Sequence, residues 1–190
     1  MIFMGYIYLY YGTGGGKTTA SLGLALRSLG HGHRVVIVQF LKYWKNTGEY
    51  KISKCLGPQY VIRQFGRKGW IKTSPDDDEV NIRGFRASVR DTTEEDRATA
   101  KKALRYAEKV IKADKPPELL ILDEVCLATT LGIINTADVL DLLKKLPEAT
   151  DIVLTGRYAP KELIDRADFV NEVREVKSPD LFVSREGIQY

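Results

Sequence analysis

Gly12-Thr13-Gly14-Gly15-Gly16-Lys17-Thr18-Thr19 is a glycine-rich turn that runs straight into a lysine and two threonines. Those residue types in that order can hold a polyphosphate. Glycines let the backbone come close to an anion, and consecutive N–H groups can point at it. A helix starting at Lys17 would add the favourable potential of its dipole at the same spot. Lys17 would bring a point charge to the phosphates of ATP, and the Thr18 hydroxyl would complete the coordination of Mg2+. A purely structural turn rarely uses consecutive glycines such as Gly14, Gly15 and Gly16, because each costs conformational entropy on folding. The spacing G-x-x-x-x-G-K-[ST] would put a glycine at position 11, where this chain has Tyr11, so the loop is one residue short.

Leu119-Leu120-Ile121-Leu122 is an apolar run that ends in two carboxylates, Asp123 and Glu124. At the C-terminal end of a buried strand they would stand beside the phosphate loop, where open α/β sheets bind ligands. Their oxygens suit Mg2+. A solvated strand end is the plain alternative, and the presence of Lys17 and Thr18 weighs against it.

These groups need a scaffold, and the rest of the chain reads as one. Tyr6–Tyr11, Val35–Leu41, Val61–Phe65, Leu119–Asp123, Ile152–Thr155 and Phe169–Val176 are short, mostly unalternating and rich in β-branched or aromatic residues, which predicts buried strands. Helical patterns lie between them. One covers Thr18–Leu29 and closes at Gly30. Another follows Thr92 with a Thr92-x-x-Glu95 capping box and carries Ala100, Ala103, Leu104, Ala107, Val110 and Ile111 on one face. Shorter ones are expected over Ala137–Lys145, capped by Thr136, and over Pro160–Arg166. The alternation predicts an α/β fold, a mostly parallel sheet with helices on both faces, built as a single domain over residues 1–190. Residues 66–91 lack periodicity and contain Gly66, Gly69, Pro75, Gly84 and the acidic run 76–79, so a long irregular segment is expected there.

Bulk properties narrow the function classes. Hydrophobic residues make up 44% and charged residues 28% of the chain, which is ordinary globular usage and predicts a soluble protein. The net charge of +4 is spread along the chain, which fits an anionic small ligand and makes nucleic acid an unlikely partner. No basic leader precedes a long apolar stretch, and no run reaches the roughly 20 apolar residues a membrane helix needs, so a cytoplasmic setting without membrane contact is expected. Cys55 and Cys126 are isolated and form no ligand cluster. His31 and His33 read as turn residues, Cys126 as a small buried side chain, and the acidic run as a solvated loop.

The loop is followed by Ala25-Leu26-Arg27-Ser28-Leu29-Gly30-His31-Gly32, then by Val38-Gln39-Phe40-Leu41-Lys42, Leu122-Asp123-Glu124, Leu154-Thr155-Gly156-Arg157-Tyr158-Ala159-Pro160-Lys161-Glu162-Leu163-Ile164, Val176-Lys177-Ser178-Pro179 and Gly187-Ile188-Gln189-Tyr190. Together these blocks resemble the ATP:corrinoid adenosyltransferases built on a P-loop fold, over nearly the whole chain. The resemblance implies that reduced cobalt of a corrinoid attacks the 5′ carbon of ATP, forming a cobalt–carbon bond and releasing triphosphate. It implies that residues Gly12 through Thr18, with Thr19, hold the polyphosphate, that Lys17, Thr18 and Glu124 carry the catalytic electrostatics, and that Thr18, Asp123 and Glu124 attend Mg2+. Arg27 and Arg157 are implied as nucleotide contacts. A flavoprotein reductant and a homodimer are the partners it suggests. On the residues alone, a P-loop ATPase or kinase and a nucleotide-dependent binding module stay open.

Three departures concern the corrinoid side most. Gly15 stands where many relatives carry a loop lysine. Ser178 holds a position often taken by histidine, and the tail after Pro179 is about two residues short of the usual pattern. The family's Gly-Phe-x-Trp segment corresponds to Gly69-Trp70-Ile71-Lys72, with Trp70 at the Phe position and Lys72 at the Trp position. We expect the segment 66–91 to face the corrinoid, with Trp70 as its principal contact, because a bulky apolar group can displace the lower cobalt ligand and exclude water.

Overall fold

A computed structural model describes residues 5–73, 79–82, 85–179 and 185–188, with only the backbone described at 79–82 and 85–87. Six strands form one parallel sheet in the order β3-β2-β7-β8-β1-β9. They are β1 (Ile7–Tyr11), β2 (Val35–Phe40), β3 (Tyr60–Phe65), β7 (Leu119–Asp123), β8 (Asp151–Gly156) and β9 (Phe169–Glu172). Helices α1 (Lys17–Gly30), α2 (Gly48–Ile52), α3 (Glu94–Ile111), α4 (Val125–Thr130), α5 (Thr136–Leu143) and α6 (Lys161–Arg166) connect them. No helix among the described residues is long and apolar enough to cross a membrane.

Why the strand sequences lack alternation is visible in the packing. Along β2, Val35 and Ile37 join a cluster with Ala25 of α1, while Val36, Val38 and Phe40 join the cluster that includes Ala100, Ala103 and Ala107 of α3. β7 divides in the same way, with Leu119 and Ile121 toward α1 and Leu120 and Leu122 toward the other face. A strand covered on both faces needs apolar residues at every position. β9 departs from the expected buried strand. It is shorter, ending at Glu172, and lies exposed at the sheet edge, beside β1.

Three local expectations need correction. The segment 66–91 is not irregular throughout: β4 (Trp70–Ile71), β5 (Glu79–Ile82) and β6 (Phe85–Arg90) form a small second sheet, β4 parallel and β5 antiparallel to β6. Strands this short leave no window in which a period can show. The capping box sits one residue later than Thr92 and Glu95. Thr93 caps α3, and Asp96 accepts from the Thr93 N–H at 2.9 Å and the Thr93 hydroxyl at 2.9 Å. Asp96 also receives a two-pronged contact from Arg90 at 2.6 and 2.7 Å, which fixes the choice. α5 begins at Thr136 with Asn135, not Thr136, as its cap.

Candidate active site

β1 delivers the chain to the C-terminal edge of the sheet, and the glycine loop turns it into α1. The loop is seated on its neighbours: the Gly12 N–H donates to the Arg157 carbonyl at 3.0 Å and the Gly14 N–H to the Val173 carbonyl at 2.9 Å. A Cβ on Gly12, whose φ is +121°, would come within 2.3 Å of the Val173 carbonyl oxygen, and one on Gly14 within 2.7 Å of Arg174. These two positions are therefore glycine because of protein packing. Gly15 and Gly16 differ, since a Cβ on either meets nothing within 4 Å. That open side is where an anion could sit. Among the described residues, no acceptor takes the N–H groups of Thr13, Gly15, Gly16, Lys17, Thr18 and Thr19. Those of Gly16, Lys17, Thr18 and Thr19 are the unpaired donors of a helix start, and those of Thr13 and Gly15 precede it in the loop.

Lys17 folds back over the loop and donates from Nζ to the Gly14 carbonyl at 2.6 Å. Burial lowers its pKa; Glu124 opposes the shift and the Arg157 charge adds to it. Thr18 turns inward, its hydroxyl donating to Asp123 Oδ1 at 2.8 Å.

Asp123 is fully buried at the end of β7. Besides Thr18, the Thr155 hydroxyl donates to Oδ1 at 2.7 Å, and Oδ2 takes the Lys42 ammonium at 2.6 Å and the Gln39 amide at 3.0 Å. Burial alone would raise its pKa, but the Lys42 charge beside it holds the carboxyl below the usual aspartate range. Glu124 adopts a left-handed turn (φ 63°) between β7 and α4, and its N–H donates to the Thr155 hydroxyl at 2.9 Å. Its Oε2 is buried with no partner among the described residues. Burial, and then the Asp123 charge, pushes the Glu124 carboxyl up. A buried carboxylate oxygen left without a donor is costly unless a cation or proton completes it.

The remaining side of the site is aromatic. Trp70 on β4 is 39% exposed and stacks on Trp44, with ring centroids 6.1 Å apart at 27°. Tyr43 meets Trp44 edge-on at 5.9 Å. β4 is held by the Lys72 N–H to the Arg90 carbonyl at 3.0 Å, and one residue on, the Thr73 hydroxyl lies 3.5 Å from the Arg157 guanidinium. Arg157 thus links the aromatic side to the phosphate loop, whose Gly12 its own carbonyl holds.

Comparison with known proteins decides the assignment. Residues 4–190 match the family described as ATP:corrinoid adenosyltransferase BtuR/CobO/CobP. The chain is 34% identical over 176 residues to the corrinoid adenosyltransferase of Sinorhizobium sp, covering 92% of this chain and 74% of the relative. It is 29% identical over 173 residues to those of Escherichia coli (strain K12) and Salmonella typhimurium, covering 91% of this chain and 78% of each. The chain belongs to the ATP:corrinoid adenosyltransferase family. As a family member it is an enzyme.

Of the residues read from sequence, the fold brings Lys17, Thr18, Asp123, Glu124 and Arg157 to one corner. Arg27 is not there: it is exposed on the last turn of α1, about 15 Å of helix from Lys17. Trp70 stands on the adjoining aromatic wall. His31 and His33 lie 6.1 Å apart with His33 beside the Ser28 hydroxyl, and no group of three or more His, Cys, Asp or Glu side chains placed to hold a metal occurs among the described residues. Cys126 is buried and its thiol is pushed up by that burial. Sequence reading missed Gln39, Lys42, Thr155 and Trp44 as site residues. Gln39 and Thr155 sit at the C-terminal ends of parallel strands and Lys42 just beyond one, and that placement is the signal that could have found them.

Proposed function

We propose that this chain transfers the 5′-deoxyadenosyl group of ATP to the reduced cobalt of a corrinoid and releases triphosphate, using the corner between the glycine loop and Asp123 as its polyphosphate site. The observation that carries this reading is the convergence of unpaired loop N–H groups, Lys17, Thr18 and the two carboxylates at the start of α1. In the reaction the cobalt electron pair forms the bond to C5′, the C5′–O bond breaks, and its electron pair leaves on triphosphate. Charge therefore grows on the leaving group. The unpaired N–H groups of 13 and 15–19 and the Lys17 ammonium would stabilise that charge, and donors already fixed in place lower a barrier.

The donor set fits Mg2+. Glu124 Oε2 is buried and unpaired among the described residues, and Thr18 and Asp123 supply further oxygens beside it. When bound, the ion would neutralise phosphate charge. Thr155 ties the two acidic residues together, since its hydroxyl donates to the Asp123 carboxylate and accepts from the Glu124 backbone N–H. Trp70, with Trp44 stacked behind it, supplies the apolar bulk on the corrinoid side, and Arg157 reaches the nucleotide between the two walls. Arg27, exposed on α1, would act on the nucleotide only from outside this corner. A cytoplasmic setting fits the two free cysteines, a homodimer fits the exposed Tyr6, Phe169 and Val170 at the β9 edge, and a flavoprotein would supply the electron.

Mixing the protein with ATP, Mg2+ and chemically reduced cobalamin tests the reading. The expected result is the spectrum of an alkylated, light-sensitive cobalt centre. ATP consumption without any change at cobalt would reject it.

A further inference from the structure

Lys42 belongs to no motif of the loop, yet the fold goes to some length to place it. The chain leaves β2 through Leu41 in a left-handed conformation (φ 59°), which costs a side-chain-bearing residue roughly 1–2 kcal/mol. Its N–H is tied to the Phe65 carbonyl at 2.9 Å. Gly66 lies so close that a Cβ there would come within 2.5 Å of Leu41 and 2.6 Å of the Lys42 backbone. Strain of this kind persists only where the surroundings fix it, and it is often found at working sites. What it places is an ammonium group 2.6 Å from Asp123 Oδ2 and 3.2 Å from the Thr18 hydroxyl, on a side chain still 25% exposed.

We infer that Lys42 is a second triphosphate-binding cation that changes partners. In the free protein it neutralises Asp123 and touches Thr18. When the polyphosphate enters, the ammonium moves to it and leaves Thr18 and Asp123 to the cation that accompanies the nucleotide. Three observations support this. The Lys42 ammonium lies 3.2 Å from the hydroxyl of Thr18, the residue next to Lys17 at the start of α1, so it stands at the same loop. The loop offers a single lysine, because position 15 is glycine with open space around it. A lysine ammonium on a flexible stem can swing between acceptors a few ångströms apart. The alternative is that Lys42 is a fixed counter-ion of Asp123.

The inference rests on the polyphosphate reading of this corner and is tested without corrinoid. Inorganic tripolyphosphate is titrated calorimetrically into the nucleotide-free protein in EDTA, with circular dichroism confirming the fold. Replacing Lys42 with Met should weaken binding roughly ten- to a hundredfold, the worth of one charged hydrogen bond. Lys42→Gln keeps a donor for Asp123 and secures the fold; it should weaken binding similarly, whereas Lys42→Arg should stay within about threefold of wild type. Asp123→Asn frees Lys42 and should tighten binding, and should lose that effect when combined with Lys42→Gln. Tripolyphosphate binding unchanged in Lys42→Gln, or equal tightening by Asp123→Asn with and without Lys42, would make Lys42 a fixed counter-ion and overturn the inference alone. A wild-type protein that binds no tripolyphosphate would overturn the polyphosphate reading as well.

Discussion

At the corner between the glycine loop and Asp123, β1, β2, β7 and β8 end side by side, and β2 and β7 are buried along their whole length. Trp70, by contrast, stands on a two-residue strand, partly exposed, held by an indole stack, its short pairing with β6 and the Arg157 contact further on. The first wall is fixed by the same packing that makes the fold. The second is fixed by a few side chains around a small sheet, anchored where Arg90 and Arg67 meet Asp96 at the start of α3. On the proposed reading, the triphosphate of ATP would face the rigid wall. The bulkier corrinoid would face the wall that is packed less tightly into the core.

Gly12→Ala should break the rigid wall most severely. Its Cβ would overlap the Val173 carbonyl at a φ of +121°, so a loss of about 3 kcal/mol or more is expected, read as a fall in melting temperature of roughly 6–12 °C. Gly15→Ala, which meets nothing within 4 Å, should stay within about 0.5 kcal/mol of wild type. Equal melting temperatures for the two would mean that the loop is not seated on Val173 and Arg174, just beyond β9, as described.

Lys17→Ala should separate binding from folding at the same wall. Its ammonium is held by one loop carbonyl, so the melting temperature should hardly move while ATP affinity falls roughly ten- to a hundredfold in a calorimetric titration. Near-normal ATP affinity and adenosylation would show that this loop is not the working cradle.

On the aromatic wall, Trp70→Ala should leave ATP binding unchanged. Activity should drop about tenfold or more when the assay starts from cob(II)alamin, and much less when it starts from chemically reduced cob(I)alamin, because the lost bulk matters before reduction. Trp44 and Trp70 are the chain's two tryptophans, so corrinoid binding should also quench its indole emission. Equal losses in both assays with a lowered melting temperature would make Trp70 a packing residue.

The smallest effect concerns the anchor of that wall. The hydrogen bonds from Arg90, followed by those from Thr93, hold Asp96 down from 3.8 to about 2. A depressed carboxyl stabilises the fold fully above its unfolded pKa and loses that contribution as pH falls through the folded one. Stability should therefore decline between pH 3.8 and about 2, and Asp96→Asn should flatten this part of the profile in acid denaturation.

The central sheet was legible because strands buried on both faces write themselves as unbroken apolar runs, and the loop was legible because its glycines and Lys17 are contiguous. β4 to β6 were not: two to six residues, broken by glycine and proline, carry no period. The capping box was misplaced by one residue because Thr92 and Thr93 are both competent, and only the Arg90 contact, across the chain's turn, selects Asp96 over Glu95. Lys42 and Gln39 escaped notice because their roles depend on β2 lying next to β7, a pairing between residues more than eighty apart that no local pattern encodes.

The phosphorus products of a single turnover test the central claim most directly. Protein, ATP and Mg2+ are mixed with reduced corrinoid and followed by 31P NMR. If the corner holds ATP for attack at C5′, intact triphosphate appears in equal amount with adenosylated corrinoid and only when reduced corrinoid is present. ADP with phosphate, or a phosphorylated acceptor, would show that the corner serves phosphoryl transfer and would contradict the account.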